Sequence, residues 1–262
     1  MISSTSNARV KNVILLQKKA KERKQQGLFV MEGRKMVEEV LRDAPEAMDA
    51  LYVTEAYLES ETQKKALEGV KYELVSESVM KAMAETMEPQ GILATVRIPA
   101  YDKEALLKKE DGVWIALEDL RDPGNLGTIM RTAEAAGVTG IVLSSSSVDM
   151  YNPKVVRSTM GAIFRMPHFY AEDFLAELEL LKGRGATLYA AHLSGTGYYD
   201  EPEYAGRSVI LIGNEANGLS EEAAKAADCL VKIPMEGRAE SLNAAVATAL
   251  FVYEAYRKRR NR

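Results

Sequence analysis

Short apolar runs alternate along this chain with longer amphipathic or alanine-rich stretches, and the pattern changes once, near residue 98. Before that point, the runs Phe29–Met31, Ala50–Val53, Tyr72–Val75 and Gly91–Arg97 read as strands. Helices are predicted over Asn7–Gln26, from Glu32-Gly33 through Leu41, over Glu55–Leu67 and over Ser76–Thr86. In the first of these, Val10, Val13, Ile14 and Leu16 share one side and lysines the other. Ile98–Asp111 reads as a linker with room for one helical turn. Beyond it, strands at Val113–Leu117, Gly140–Leu143, Thr187–Ala191, Val209–Ile212 and Cys229–Ile233 alternate with helices near Leu126–Ala136, Asn152–Gly161, Ala171–Lys182, Ser220–Ala227 and Leu242–Arg257. Such alternation predicts an α/β chain: a small α/β domain over 1–97, the linker 98–111, and a parallel, helix-covered sheet over 112–262.

Composition narrows the class. With 47% hydrophobic and 27% charged residues, the 262-residue chain is expected to fold rather than stay disordered. No apolar run approaches the roughly 18 residues of a membrane span. Val13–Leu16 is too short for a signal-peptide core. One cysteine, Cys229, excludes an internal disulfide; within an apolar run it reads as a small buried hydrophobe, and a reducing cytoplasm is the expected location.

The net charge of −4 conceals an asymmetry. Residues 1–35 carry nine Lys/Arg against Glu22 and Glu32, or +7; residues 257–262 (RKRRNR) carry +5; the middle is therefore −16. Basic ends fit a polyanionic partner such as RNA, although solvated tails have the same composition.

Candidate chemistry gathers near the C-terminus. The run Val209–Leu211 breaks at Gly213 into a small, polar loop, and Cys229–Ile233 stops at Pro234 before a loop ending Glu240-Ser241-Leu242-Asn243. In open α/β sheets ligands bind beyond the carboxyl ends of strands, which is where these loops would lie. Gly213 and Gly218 allow close backbone approach, and Ser241 is placed to cap the following helix, with Asn243 as its second residue. A dinucleotide-binding oxidoreductase is disfavoured, because no G-x-G-x-x-G follows the first strand of either half and GNEANG has the wrong spacing. His168 and His192 have no patterned partner and read as structural; without H-x-x-H, H-E-x-x-H or C-x-x-C, no metal site is expected.

The segments NEANGLS and IPMEGRAESLNAAVATAL, with DPGNLGTIMRTAEAAG upstream, resemble the motifs of the SpoU (TrmH-type) branch of the SPOUT superfamily. LFVMEG and PQGILATV are similar to the RNA-recognition domain that precedes many such catalytic domains. The resemblance implies an S-adenosylmethionine-dependent methyltransferase acting on a ribose 2′-hydroxyl of RNA, ribosomal before transfer RNA, with a C-terminal trefoil knot and a homodimer. A non-catalytic RNA-binding protein on the same fold would be expected to lose Arg131 or the Ser-Leu-Asn triplet, and this chain keeps both. Carried onto these positions, Asn125, Arg131, Glu215, Ser241 and Asn243 form the catalytic set; Gly213, Gly218, Ile233 and Leu242 hold the donor. The resemblance also places Asn152, Arg157, Ser158 and Gly161 beside the RNA entrance, with Arg157 and Arg165 either at phosphate or on a solvated helix face. Arg9 and Lys11 of the basic N-terminal helix are expected to meet RNA through their charge. Two catalytic roles stay open as well. Glu215 either organises loop amides or contacts substrate, and Arg131 either takes the hydroxyl proton or clamps a phosphate. In the homodimer, Leu250 and Tyr253 are expected to anchor the last helix, with Phe251 and Tyr256 facing the second subunit.

Overall fold

Two compact units emerge from the computed structural model, which describes residues 1–260: one of residues 1–100 and 149–164, the other of 101–148 and 165–260. Asn261 and Arg262, the end of the basic C-terminal run, lie outside the described residues. No helix among these residues is long and apolar enough to cross a membrane.

The first unit carries a four-stranded sheet in the order β1-β4-β2-β3, formed by β1 (Leu28–Glu32), β2 (Met48–Val53), β3 (Glu73–Leu74) and β4 (Ile92–Arg97). Pairings β1–β4 and β4–β2 are antiparallel, and β2–β3 is parallel. Around it run α1 (Ala8–Lys18), α2 (Ala20–Gln26), α3 (Arg34–Asp43), α4 (Glu55–Leu58), α5 (Glu61–Ala66) and α6 (Glu77–Met83). Val10, Val13 and Leu16 of α1 pack on Val79, Met80 and Met83 of α6 and Leu93 of β4, so the apolar stripe is a core face.

The helix predicted over Asn7–Gln26 is two helices, because Lys19 adopts extended backbone (φ −125°, ψ 110°). Arg23 explains the break. Its Nη1 donates to the carbonyl of Gln17 at 3.1 Å and to that of Leu16, capping α1, while Nε donates to Asp149 at 2.9 Å. Glu55–Leu67 is likewise divided, since Ser60 is extended between α4 and α5.

The second unit holds seven parallel strands in the order β7-β6-β5-β10-β8-β11-β9. In chain order the elements are α7 (Lys103–Leu107), β5 (Gly112–Leu117), α8 (Pro123–Ala135), β6 (Gly140–Ser144), α9 (Pro153–Thr159), β7 (His168–Ala171), α10 (Phe174–Gly183), β8 (Ala186–Ala191), β9 (Gly197–Tyr198), β10 (Arg207–Ile212), α11 (Glu221–Ala226), β11 (Cys229–Lys232) and α12 (Ala244–Arg260). Of these, α9 belongs to the first unit, within which Phe29 meets Tyr151 (5.0 Å between ring centroids) and Phe164 (5.8 Å). Trp114, Val142, Leu188, Val209 and Leu211 form the sheet's apolar face under Phe174, Leu178 and Leu181 of α10.

Four expectations change here. The short strands β7 and β9 lie at the sheet's two edges and were not predicted. Ala171 ends β7 rather than opening a helix; α10 starts after Asp173, whose carboxylate accepts from the Ala176 amide at 3.0 Å. Cys229 is exposed, because β9 pairs only with Val231 and Lys232 beside it. Finally, Phe251 is fully buried with Val252, whereas Val246, Tyr253 and Tyr256 are 50%, 48% and 42% exposed. The core face of α12 is Ala244, Ala245, Thr248, Phe251, Val252 and Ala255.

That assignment is testable by urea unfolding. Phe251→Ala should cost about 3–5 kcal/mol, as core phenylalanine truncations do. Tyr256→Ala should stay within about 0.5 kcal/mol. Equal destabilisation by the two would remove Phe251 from the core.

Candidate active site

Four neighbouring parallel strands, β5, β10, β8 and β11, end on the same side of the sheet, and the loops that leave them build the site. The loop after β10 is held closed upon itself. Asn214 and Gly218 exchange backbone hydrogen bonds, each at 2.9 Å, and the Asn214 side chain accepts from the amides of Ala216 (2.9 Å) and Asn217 (3.0 Å). Asn214 Nδ2 reaches across to the carbonyl of Asp119 at 2.8 Å, and Glu118 accepts from the Ser220 amide (2.8 Å) and hydroxyl (2.7 Å). Gly213 sits inside this closure; a Cβ there would lie 2.1 Å from the Gly218 carbonyl carbon. Gly218 itself has φ +70°, a region that favours glycine.

Three of the expected catalytic residues form one hydrogen-bonded chain. Asn243 is the N-cap of α12, its Oδ1 accepting from the amides of Ala245 (2.9 Å) and Val246 (3.3 Å). It thus takes the place expected for Ser241, and it precedes the helix rather than sitting within it. With Oδ1 so engaged, Nδ2 donates to Asn125 Oδ1 at 2.8 Å, and Asn125 Nδ2 donates to Glu215 Oε1 at 3.0 Å. Glu215 also accepts from the amides of Asp122 (2.9 Å) and Arg121 (3.1 Å). Burial pushes its carboxyl up, but these hydrogen bonds outweigh burial and hold it below the ordinary glutamate range. Asp122 in turn caps α8 by accepting from the Asn125 amide at 2.8 Å.

Beneath the chain lies a cavity of about 400 Å³, within the range of about 300–1,000 Å³ usual for ligand pockets. Gly213, Glu215, Gly218, Ile233, Ser241 and Leu242 line it, as do Leu219, Val231, Met235, Ala247 and Phe251. Sequence reasoning missed one wall: His192, Leu193 and Ser194, in the loop after β8. That loop grips β11 through the His192 amide and the Val231 carbonyl (3.0 Å), and a Cβ on Gly195 would lie 2.8 Å from the Val231 carbonyl carbon. The close approach of Gly195 was the available signal. His168, by contrast, is buried against the Met166 carbonyl, and desolvation lowers its pKa to about 4.

Arg131 stands apart. It lies on the exposed face of α8, is absent from the cavity lining, and makes no hydrogen bond or ion pair with the described residues. The proposed RNA contacts fall in the first unit. There Arg9 pairs with Glu73, Lys11 is exposed, Arg157 pairs with Glu85, and Ser158 donates to the Lys154 carbonyl at 2.9 Å. Asn152 caps α9 at the Lys154 amide (2.9 Å), and Arg165 pairs with Glu134 at 2.9 Å. Among the described residues, no group of three or more His, Cys, Asp or Glu is placed to hold a metal ion.

Residues 112–253 match the model of the SpoU rRNA Methylase family, and residues 7–94 match the MRM3-like substrate binding domain. Over 252 residues the chain is 32% identical to the 23S rRNA (guanosine(2553)-2′-O)-methyltransferase of Bacillus subtilis, an alignment covering 96% of this chain and 97% of that one. The crystal structure of the SpoU methyltransferase AviRb from Streptomyces viridochromogenes, in complex with AdoMet, superposes with a TM-score of 0.84 at 27% identity, covering 98% of this chain and all of the other. An AdoMet-bound rRNA methyltransferase from Sinorhizobium meliloti does so with a TM-score of 0.81 at 31% identity, covering 98% and 97%. The chain belongs to the SpoU rRNA methylase family.

Its cofactor is S-adenosylmethionine, and the cavity fits that molecule. Apolar side chains offer a surface for a purine, the glycine-bearing loop after β10 offers backbone at close range, and Glu215 and Glu240 place negative charge beside a cationic ligand. Gly213→Ala should therefore abolish measurable donor binding in isothermal titration, because its methyl would displace the Gly218–Leu219 backbone. Wild-type affinity in that variant would refute the closed-loop account of the pocket.

Proposed function

We propose that this chain methylates a ribose 2′-hydroxyl of ribosomal RNA in the cytoplasm, working as a homodimer. The observation that carries the substrate class is the end-to-end alignment with a 23S rRNA 2′-O-methyltransferase, which spans both units rather than the catalytic one alone.

The bound donor would supply an electrophilic methyl group on a sulfonium. Gly213, Gly218, Ile233 and Leu242 would hold it, and the chain's own contribution is alignment of the hydroxyl with that methyl, a positioning task that supplies much of the acceleration in such reactions. Glu215 is a poor candidate for the base, since its oxygens already accept from Asn125 and two amides. Its role is to organise the loop before α8. Arg131 fits a phosphate clamp better than a base, because a guanidinium stays protonated and has no lone pair to accept the hydroxyl proton. It fixes the target nucleotide while the hydroxyl proton leaves to solvent.

Homodimerisation is supported by what one chain leaves uncovered. Val246, Ala249, Leu250 and Tyr253 of α12 border Thr128 and Thr132 of α8 in a largely apolar groove. Arg131 is on the same helix as those threonines, exposed, and is not among the residues that line the cavity. A second copy seated on the groove covers the apolar strip and gives Arg131 a site to serve. A threaded, knotted C-terminus belongs to the same reading, supported by the packing of α12 back against α8 and β10.

Two variants test it. Arg131→Ala should lose methyl transfer to an unmodified ribosomal RNA transcript by about 10²-fold or more, as removal of a transition-state contact does, with donor affinity within a few-fold of wild type. Full turnover by that variant would remove Arg131 from the reaction. Tyr253→Glu should sediment as a monomer at micromolar concentration and lose activity; a variant that stays dimeric would displace the interface from this groove.

A further inference from the structure

The loop between α6 and β4 is fixed at both ends. At its start, the Glu32 carboxylate, at the end of β1 and only 8% exposed, accepts from the amides of Glu85 (2.8 Å) and Thr86 (3.3 Å) and from the Thr86 hydroxyl. At its end, Gln90 Oε1 accepts from the Arg34 amide at 2.8 Å. A buried carboxylate spent on loop amides holds backbone in one place at the cost of desolvation. Core packing does not account for it, because the loop carries Met87 at 95% exposure. What the anchoring does place is the backbone of Glu85, from which its side chain extends. Its Oε2 meets Nη1 of Arg157, on α9, at 2.5 Å.

Arg157 uses only that one of its donors among the described residues. Both partners are partly solvated, at 33% and 44% side-chain exposure, so the pair is of the weak surface kind and a second anion can replace it. A guanidinium with free donors, beside a carboxylate held on a fixed loop, has the features of an anion site with a resident competitor. Resting on the RNA-methyltransferase reading above, we propose that Arg157 is a phosphate subsite for the RNA backbone and that Glu85 is its built-in guard. The carboxylate occupies the guanidinium in the free protein and yields to a backbone phosphate when RNA binds. Displacement needs no backbone movement, since the anchors act on main-chain amides and leave the Glu85 side chain free to rotate. The guard makes capture of a stray phosphate weaker and leaves productive binding to RNA that makes further contacts.

The test is a double-mutant cycle on the full chain. Affinity for an unmodified transcript of large-subunit ribosomal RNA is measured across a salt series for wild type, Glu85→Gln, Arg157→Gln and the double variant, with Glu88→Gln as a charge control on the same exposed loop. Arg157→Gln should flatten the slope of log affinity against log salt by about 0.7–0.9, the value of one phosphate contact. Glu85→Gln should tighten binding several-fold, more than Glu88→Gln does, and the gain should vanish when Arg157 is also replaced. An unchanged slope in Arg157→Gln would overturn the phosphate subsite. A Glu85→Gln gain that persists without Arg157, or that Glu88→Gln equals, would overturn the guard. A wild-type protein that neither binds nor methylates the transcript would fail the underlying reading instead, which the slopes of a binding protein cannot do.

Discussion

The hydrogen-bonded chain from Asn243 through Asn125 to Glu215 is the constraint on which the rest of the site depends. It joins the N-cap of α12 and the first turn of α8 to the loop after β10, three segments that no local interaction would bring together. Its polarity is determined from one end. Because Asn243 must offer oxygen to the α12 amides, it can offer only nitrogen to Asn125, which must then offer nitrogen to a carboxylate. An amide at position 215 could present its oxygen to only one of these directions as strongly, and a neutral side chain would lose the charge assistance of the bonds from Arg121, Asp122 and Asn125. Asn125, 8% exposed, is the buried member, so a bond lost there leaves a desolvated amide group at about 1–3 kcal/mol. The three segments are therefore tied to one another where they meet.

The apolar alternation made the strands of both sheets legible, because a parallel sheet covered on both faces needs runs such as Val209–Ile212 that are apolar at every position. Gly213 and Gly218 were legible for a similar reason: a strand that ends in glycine invites close approach, and here the approach is between the two ends of one loop. The edges were less visible. β9 is two residues long, and β7 is four residues between a proline and two acids, too short for a period to register. What could not be read at all was the use of long-range polar groups. Arg23 looked like one more cation on a basic helix, yet it is 4% exposed and turns back to cap α1 and to bind Asp149, 126 residues away. Asn243 and Asn125 are 118 residues apart, and only the fold makes them neighbours.

The same limit governs the charge pattern. Basic ends suggested arms for RNA, but three of the C-terminal cations are spent close to home among the described residues. Arg257 pairs with Glu254, Lys258 with Glu203, and Arg259 with Asp111 while donating to the carbonyls of Tyr204 (2.8 Å) and Gly206 (2.9 Å). This run fastens α12 to the turn before β10, a structural use of charge. The N-terminal helices divide instead. Arg9 and Arg23 are paired, whereas Lys11, Lys18, Lys19, Lys21 and Lys24 remain exposed. Counting charges by segment located a basic surface at one end of the chain and overstated it at the other.

Helix α12 shows how one element serves several ends by dividing its faces. Its N-cap completes the polar chain, its inner face carries Phe251 to the wall of the cavity, and its outer face leaves Val246 and Tyr253 in solvent. The sequence offered an apolar stripe wider than one packing partner needs, but not which residues belonged to which side. The decision rests on size and phase: alanines at 244, 245 and 255 let the helix approach α8 and β10 closely, and that approach rotates Phe251 inward. Tyr253 then falls outward, since a residue two positions along a helix is turned by about 200°. The outer face and the cavity wall thus belong to one continuous helix, with no loop between them.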